Sequence, residues 1–358
     1  MRRRILHLAM GFFLTLTLTS CGSGTGESSE LVGTQSTGTA RVTENAAVST
    51  AAATTSAASE TEQTQTTAVT SPTASKAEQT TAATTSAAKT TGSTAAPTKP
   101  LVPDSAKFTL KPGHQYVGHV EPIFEYSGYD NHTTIQGGTF EGKYYYVAII
   151  NKHMDPETCY ICKYDLTGKL LKRSQKLVLD HANDITYVKK WNALLVSHCH
   201  GSNERIYYRY SLVNPDTFTI IKTEDLPKPF FGMDYCERRD SFASAEWNGS
   251  PIDIWKGDLS HQESFNVKET GNTPQGVATD ENYVYFLQWR TNSVQVYDWE
   301  GNHAFEILLD MMNGDPEYIS GEPEHISIVD GVMYIGGNNR SWTGGYFAYV
   351  SLEDVTGK

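Results

Sequence analysis

Apolar and polar positions alternate most clearly in Thr273 to Asn302, TPQGVATDENYVYFLQWRTNSVQVYDWEGN. This pattern predicts three strands: Gln275 to Thr279, Tyr283 to Trp289 and Ser293 to Trp299. The strand residues are β-branched or aromatic, and the separators Asp280-Glu281-Asn282 and Arg290-Thr291-Asn292 are turn formers. Asp298-Trp299-Glu300-Gly301 reads as a tight hairpin turn, with Gly at the position that needs a positive φ. Together these make most of one four-stranded antiparallel sheet.

The same pattern recurs four more times. One copy runs through Gln136 to Thr139, Lys143 to Ile150, Cys159 to Asp165 and Leu170 to Leu177. A second begins at His181 and continues through Ala193 to Cys199, Arg205 to Ser211 and Phe218 to Asp225. The third is degenerate: Phe231 to Asp234, Ser241 to Trp247, Pro251 to Asp258 and Glu263 to Thr270. The last comprises Glu324 to Ser327, Val332 to Asn338 and Tyr346 to Glu353. Matching Gln136, Asn183, Phe231, Gln275 and Glu324 gives spacings of 47, 48, 44 and 49 residues, within the range of propeller blades. Apart from a short piece around Leu308 to Met312, no stretch between copies reads as a helix.

The last copy lacks an outer strand, whereas Val120 to Ser127 is strand-like and otherwise unpaired. The expectation is therefore an all-β, five-bladed β-propeller over residues 101–358, closed by the N-terminal strand; closure removes an exposed sheet edge. Six blades would follow if Pro103 to Ser127 contributed more than one strand.

Residues 1–20 have a basic start at Arg2, Arg3 and Arg4 followed by an apolar run, the pattern of an export signal. Leu18-Thr19-Ser20-Cys21 resembles the bacterial lipoprotein box, which implies cleavage before Cys21 and lipidation of that residue. The chain is then expected to be extracytoplasmic and lipid-anchored to the bacterial cell membrane. From Gly22 to Pro100 there is no Phe, Trp, Tyr or Ile, so residues 21–100 read as a disordered Ser/Thr/Ala-rich tether. A flexible coil of that length spans about 50 Å root-mean-square.

Residues 1–100 hold seven Lys/Arg and six Asp/Glu of the chain's 29 and 41, leaving 22 against 35 in the remainder. An acidic folded part argues against a nucleic-acid partner, which calls for a basic stripe. A monomer is expected. Cys159 and Cys162 have the spacing of a redox or zinc motif, but positions three apart on a strand face opposite sides. Buried structural thiols are the reading for Cys159, Cys162, Cys199 and Cys236, with a Cys199 to Cys236 disulfide and zinc as alternatives.

Strand direction sets where a site would lie. In each copy the start of the innermost strand and the loop between the second and third strands share one face. That face gathers Gln136, His181, Asn183, Asp184, Gln275, Glu324 and His325 at its centre. Trp247, Trp289, Trp342, Arg290 and Arg340 stand on its loops. Amides and carboxylates that fix hydroxyls, beside flat aromatic surfaces, suit a glycan or another polyhydroxylated ligand. The competing reading is structural: inner-strand amides satisfy neighbouring backbone, and a Trp at a strand end packs between blades.

HANDITY, PQGVATDENYVYF and QVYDWEGN look like the propellers of the NHL-repeat and gluconolactonase-like superfamily, over residues 119 to 354. The resemblance specifies fold better than activity. It implies one alternative function, a calcium-dependent hydrolase or lactonase with Asn183, Asp184 and Glu324 as ligands. Gln136 and Gln275 would be neutral oxygen donors, and His181 or His325 a base. Gln136 stands where those families carry an early Glu. A further alternative is a protein-docking platform, which requires a large apolar patch on one face. The sequence has no Gly-x-Ser-x-Gly elbow, phosphate loop or His-Glu-x-x-His helix, and its catalytic residues are unassigned. The leading expectation is a non-catalytic propeller that binds a ligand, such as a cell-wall or environmental glycan, at this face.

Overall fold

The computed structural model describes residues 102–154, 156–199, 204–267, 273–288, 290–311 and 320–358. The signal sequence, Cys21, the tether, Trp289 and Met312 lie outside the described residues. The described part is all-β, with only three short 3-10 turns. None of its helices is long and apolar enough to cross a membrane.

The strands follow the repeat. After β1 (Tyr116–Ser127), the first sheet is β2 (Thr134–Phe140), β3 (Tyr145–Asn151), β4 (Thr158–Tyr164) and β5 (Leu170–Arg173). The second is β6 (Asp184–Val188), β7 (Ala193–Ser197), β8 (Arg209–Val213) and β9 (Ile220–Asp225). The third is β10 (Gly232–Cys236), β11 (Ser241–Ala245), β12 (Ile252–Lys256) and β13 (His261–Phe265). Then come β14 (Pro274–Thr279), β15 (Tyr283–Gln288), β16 (Ser293–Asp298) and β17 (His303–Asp310), followed by β18 (Ser320–Val329), β19 (Val332–Asn339) and β20 (Gly344–Asp354).

These last seven strands and β1 form one eight-stranded sheet, in the order β14-β15-β16-β17-β1-β20-β19-β18. Strand β1 runs antiparallel to β20, with Val120 opposite Val350, which supplies the outer strand expected for the last copy. Its first four residues, Tyr116 to His119, also pair in parallel with Ile307 to Asp310 of β17. That second pairing joins two repeats and was not legible in the sequence, because Gly118 and His119 interrupt the apolar run.

Two local expectations change. The stretch from Leu308 continues β17 to Asp310 instead of turning into a helix. In the second sheet Glu204–Tyr208 is a 3-10 turn, so the strand begins at Arg209 and not at Arg205. The reason is local: the Tyr208 and Tyr207 carbonyls accept the N–H groups of Leu226 (2.6 Å) and Phe230 (2.8 Å), which fastens the connection into the next sheet.

Both faces of most strands are buried, and the period of two sorts each strand's side chains between two cores. On β3, Tyr145, Val147 and Ile149 pack toward Tyr334 and Phe347, while Tyr146, Ala148 and Ile150 pack toward Leu194 and Val196. Cys162 and Cys159 divide in the same way. All four described cysteines are buried, and none of them is in a disulfide among the described residues. The innermost strands β2, β6, β10, β14 and β18 pack side by side in that order, and β18 returns to β2.

Candidate functional site

Contacts between innermost strands run start to start. The Gly137 N–H donates to the Ala182 carbonyl (2.9 Å), Asn183 Nδ2 to the Phe231 carbonyl (3.1 Å), and Gln275 Nε2 to Glu322 Oε1 (2.9 Å). The strand starts therefore share one end, as do the loops after each second strand. This end brings together Gln136, Asn183, Asp184, Gln275, Glu324 and His325, but their environments differ.

Asp184 is buried and spent on backbone. Its Oδ1 accepts from the Ile185 N–H (3.0 Å), and its Oδ2 from the N–H groups of Met233 on β10 and Val277 on β14 (3.1 Å each). One side chain thus ties three innermost strands. Gly232 permits this approach: a Cβ there would stand 2.6 Å from Asp184 Oδ2. Burial and then the nearby Asp234 carboxylate push the Asp184 pKa up, opposed by the three N–H donors. Asp234 makes the matching tie, accepting from the Thr279 N–H (2.7 Å), the Thr279 hydroxyl (2.8 Å) and the Thr186 hydroxyl.

His325 is equally committed. Its Nδ1–H donates to the Gln136 carbonyl (3.1 Å), and its Nε2 accepts from the Tyr145 hydroxyl (2.7 Å), which in turn meets the Tyr126 hydroxyl (2.9 Å). A Cβ at Gly138 would stand 2.7 Å from the ring, so only glycine admits it. Burial lowers the His325 pKa to about 3, so the ring is neutral, a bridge between β18 and β2. His181 lies at the rim, its Nδ1 2.6 Å from Glu157 Oε2, both partly buried.

Glu324 is different. Asn338 on β19 is held in one orientation: its Oδ1 accepts from the Ile135 N–H (2.7 Å), and its Nδ2 donates to the Ile135 carbonyl (3.3 Å) and to Glu324 Oε1 (2.6 Å). Glu324 Oε2, although buried, has no hydrogen-bond partner among the described residues; the same holds for the Tyr346 hydroxyl. Burial pushes the Tyr346 pKa up, and the charges of Glu324 and Glu322 push it further. The Glu324 pKa is raised well above the usual range by burial and then by Glu322, against the Asn338 hydrogen bond and the Lys152 charge. Burial also raises Glu322, opposed by Gln275, Lys152, Arg290 and His181.

Around this centre, Trp247 and Trp342 are 48% and 43% exposed. Trp247 meets Phe231 edge-on at 5.0 Å, and Lys152 stands over the Trp342 ring at 5.5 Å. Trp342 and Lys152 also line a shallow pocket with Asn131, Thr133, Asn151 and His153. Arg290 takes a left-handed φ of 68° beside Glu322.

Sequence reasoning missed Glu322, Asn338, Tyr346, Lys152 and Glu157. The period of two in Glu322-Pro323-Glu324 was the available signal for the first. Nothing local marks Asn338, whose partner Ile135 lies 203 residues away.

Asp184, the central carboxylate of the calcium reading, has both oxygens on backbone N–H groups and is already committed. Among the described residues no group of three or more His, Cys, Asp and Glu is arranged to hold a metal ion.

No protein-family model and no curated protein matches the sequence. Similar solved structures include a glutaminyl cyclase of Myxococcus xanthus, 13% identical with a TM-score of 0.46, covering 67% of this chain and 99% of that one. Another is a virginiamycin B lyase of Staphylococcus aureus, 14% identical with a TM-score of 0.37, covering 68% and 75%. Both are β-propellers, and the likeness is one of fold.

Proposed function

We propose that this chain is a five-bladed β-propeller, lipid-anchored through Cys21 outside the bacterial cytoplasm, that binds a polyhydroxylated ligand where its innermost strands begin. The blade count rests on the cycle β2, β6, β10, β14, β18, with β1 as the outer strand of the last blade. The observation that carries the binding site is Glu324 Oε2. It is a buried polar atom without a partner among the described residues, in a ring where Asp184, Asn183, Asp234 and His325 are all paired. Leaving such an atom unpaired costs about 1–3 kcal/mol, which a ligand group can recover. Gln275, Glu322 and Tyr346 supply further polar atoms, and the partly exposed Trp247 and Trp342 rings are of the type that stacks on sugars.

A glycan array and a pull-down on isolated cell walls test this with the purified chain. Binding that weakens at least about tenfold in Gln275→Ala and Trp342→Ala supports it. Absence of any glycan or wall binding, or binding indifferent to both substitutions, removes it. Incorporation of a clickable fatty acid that disappears in Cys21→Ala tests the anchor; equal labelling of the variant contradicts it.

A further inference from the structure

The orientation of Asn338 fixes where a proton on Glu324 must sit. Asn338 cannot flip, because its Oδ1 holds the Ile135 N–H at 2.7 Å and its Nδ2 the Ile135 carbonyl at 3.3 Å. Its amide therefore donates to Glu324 Oε1 at 2.6 Å, and that oxygen is an acceptor. The other oxygen, Oε2, is buried and faces no donor among the described residues. The charged groups that bear on this carboxyl are Glu322 on the same strand, which opposes ionisation, and Lys152 from the loop after β3, which favours it. Tyr346 on β20 contributes a phenol held un-ionised by burial. A carboxylate buried beside a second carboxyl, with no partner for Oε2 among the described residues, is the costlier state; a proton on Oε2 removes the buried charge and turns that oxygen into a donor that needs an acceptor.

We propose that Glu324 is a neutral carboxylic acid whose Oε2–H is the donor that recognises an uncharged acceptor oxygen of the ligand, such as an acetamido carbonyl or a hydroxyl. This rests on the reading of the site as a saccharide-binding mouth and narrows it. The position selects N-acetylated or hydroxyl-bearing sugars and disfavours an ammonium group, which would meet an acidic proton in place of an anion. Glu324 is a specificity residue here, and no bond-breaking step is assigned to it.

The test compares N-acetylated chitotetraose with its fully de-N-acetylated form, titrated calorimetrically against the full-length chain at several pH values. It uses wild type, Glu324→Gln and Glu324→Ala. Glutamine reproduces the proposed pattern, because its Oε1 accepts from Asn338 and its Nε2 donates. The expected result is at least about tenfold preference for the acetylated probe, retained in Glu324→Gln and lost in Glu324→Ala. Wild-type affinity falls as pH rises through the Glu324 pKa, whereas Glu324→Gln stays level. A preference for the amine form that Glu324→Gln abolishes overturns the proposal, since that is an ionised carboxylate holding a cation. A readout without ligand separates the two layers: an infrared difference spectrum, wild type minus Glu324→Gln, at neutral pH. A protonated-carboxyl carbonyl band supports the acid, and its absence overturns the proposal whatever binds. If the band is present and neither probe binds, the acid stands and the saccharide reading falls.

Discussion

Asp184 and Glu324 are both buried carboxyl side chains on innermost strands, at the same end of the ring, yet they differ in what remains to be satisfied. Asp184 receives three backbone N–H groups from β6, β10 and β14, which engage both of its oxygens. Glu324 receives one amide from Asn338, and its second oxygen has no partner among the described residues. Burial raises the pKa of each. Two residues of one chemistry therefore divide into a tie that closes the ring and a group that can serve a ligand. Burial does not separate them; the count of satisfied hydrogen bonds does.

The strongest way to break this contrast is Asp184→Ala. It strands three buried N–H groups, and we expect a loss of about 3–5 kcal/mol, or failure to fold, read by chemical denaturation. A loss under 1 kcal/mol would mean that Asp184 is not the tie described. Asn338→Ala comes next: it removes the donor to Glu324 and leaves the Ile135 N–H without its partner. The expected cost is about 2–3 kcal/mol.

Smaller effects come from titration, and the two buried groups pull in opposite directions. The folded His325 pKa lies at about 3, below its ordinary 6.5, so its contribution is full above 6.5 and is lost as pH falls through that window. His325→Gln should therefore flatten the acid limb of the stability curve, by up to about 1.4 kcal/mol per pH unit. Glu324 is raised above 4.5, so its contribution is full below that value and is lost as pH rises through the folded pKa. Thermal melts of Glu324→Gln should gain on wild type as pH rises. A constant difference between them across the range contradicts a perturbed Glu324. The smallest expected effect on stability is Trp342→Ala, within about 0.5 kcal/mol because the ring is half exposed, although binding should weaken.

Much of the architecture was legible because strand period and turn chemistry are local. The alternation over Tyr283 to Trp289 predicts a strand and Tyr283–Gln288 is one; Gly301 takes the positive φ, 83°, that its turn requires. Val120 to Ser127 pairs with β20, as the missing outer strand implied. The parallel pairing of Tyr116 to His119 with β17 escaped because it depends on two edges meeting, a tertiary fact. At the mouth, sequence could gather Gln136, Asn183, Asp184, Gln275, Glu324 and His325 at one end, since strand direction determines that. It could not rank them. The ranking depends on partners such as Val277 for Asp184 and Ile135 for Asn338, which lie 93 and 203 residues away.

The most direct test of the contrast is a crystal structure of the chain with N-acetylated chitotetraose. The account predicts a sugar oxygen within hydrogen-bonding distance of Glu324 Oε2, a ring against Trp342 or Trp247, and Asp184 still bound to the N–H groups of Met233 and Val277. A saccharide seated away from Glu324, or one that engages Asp184 in its place, would contradict it.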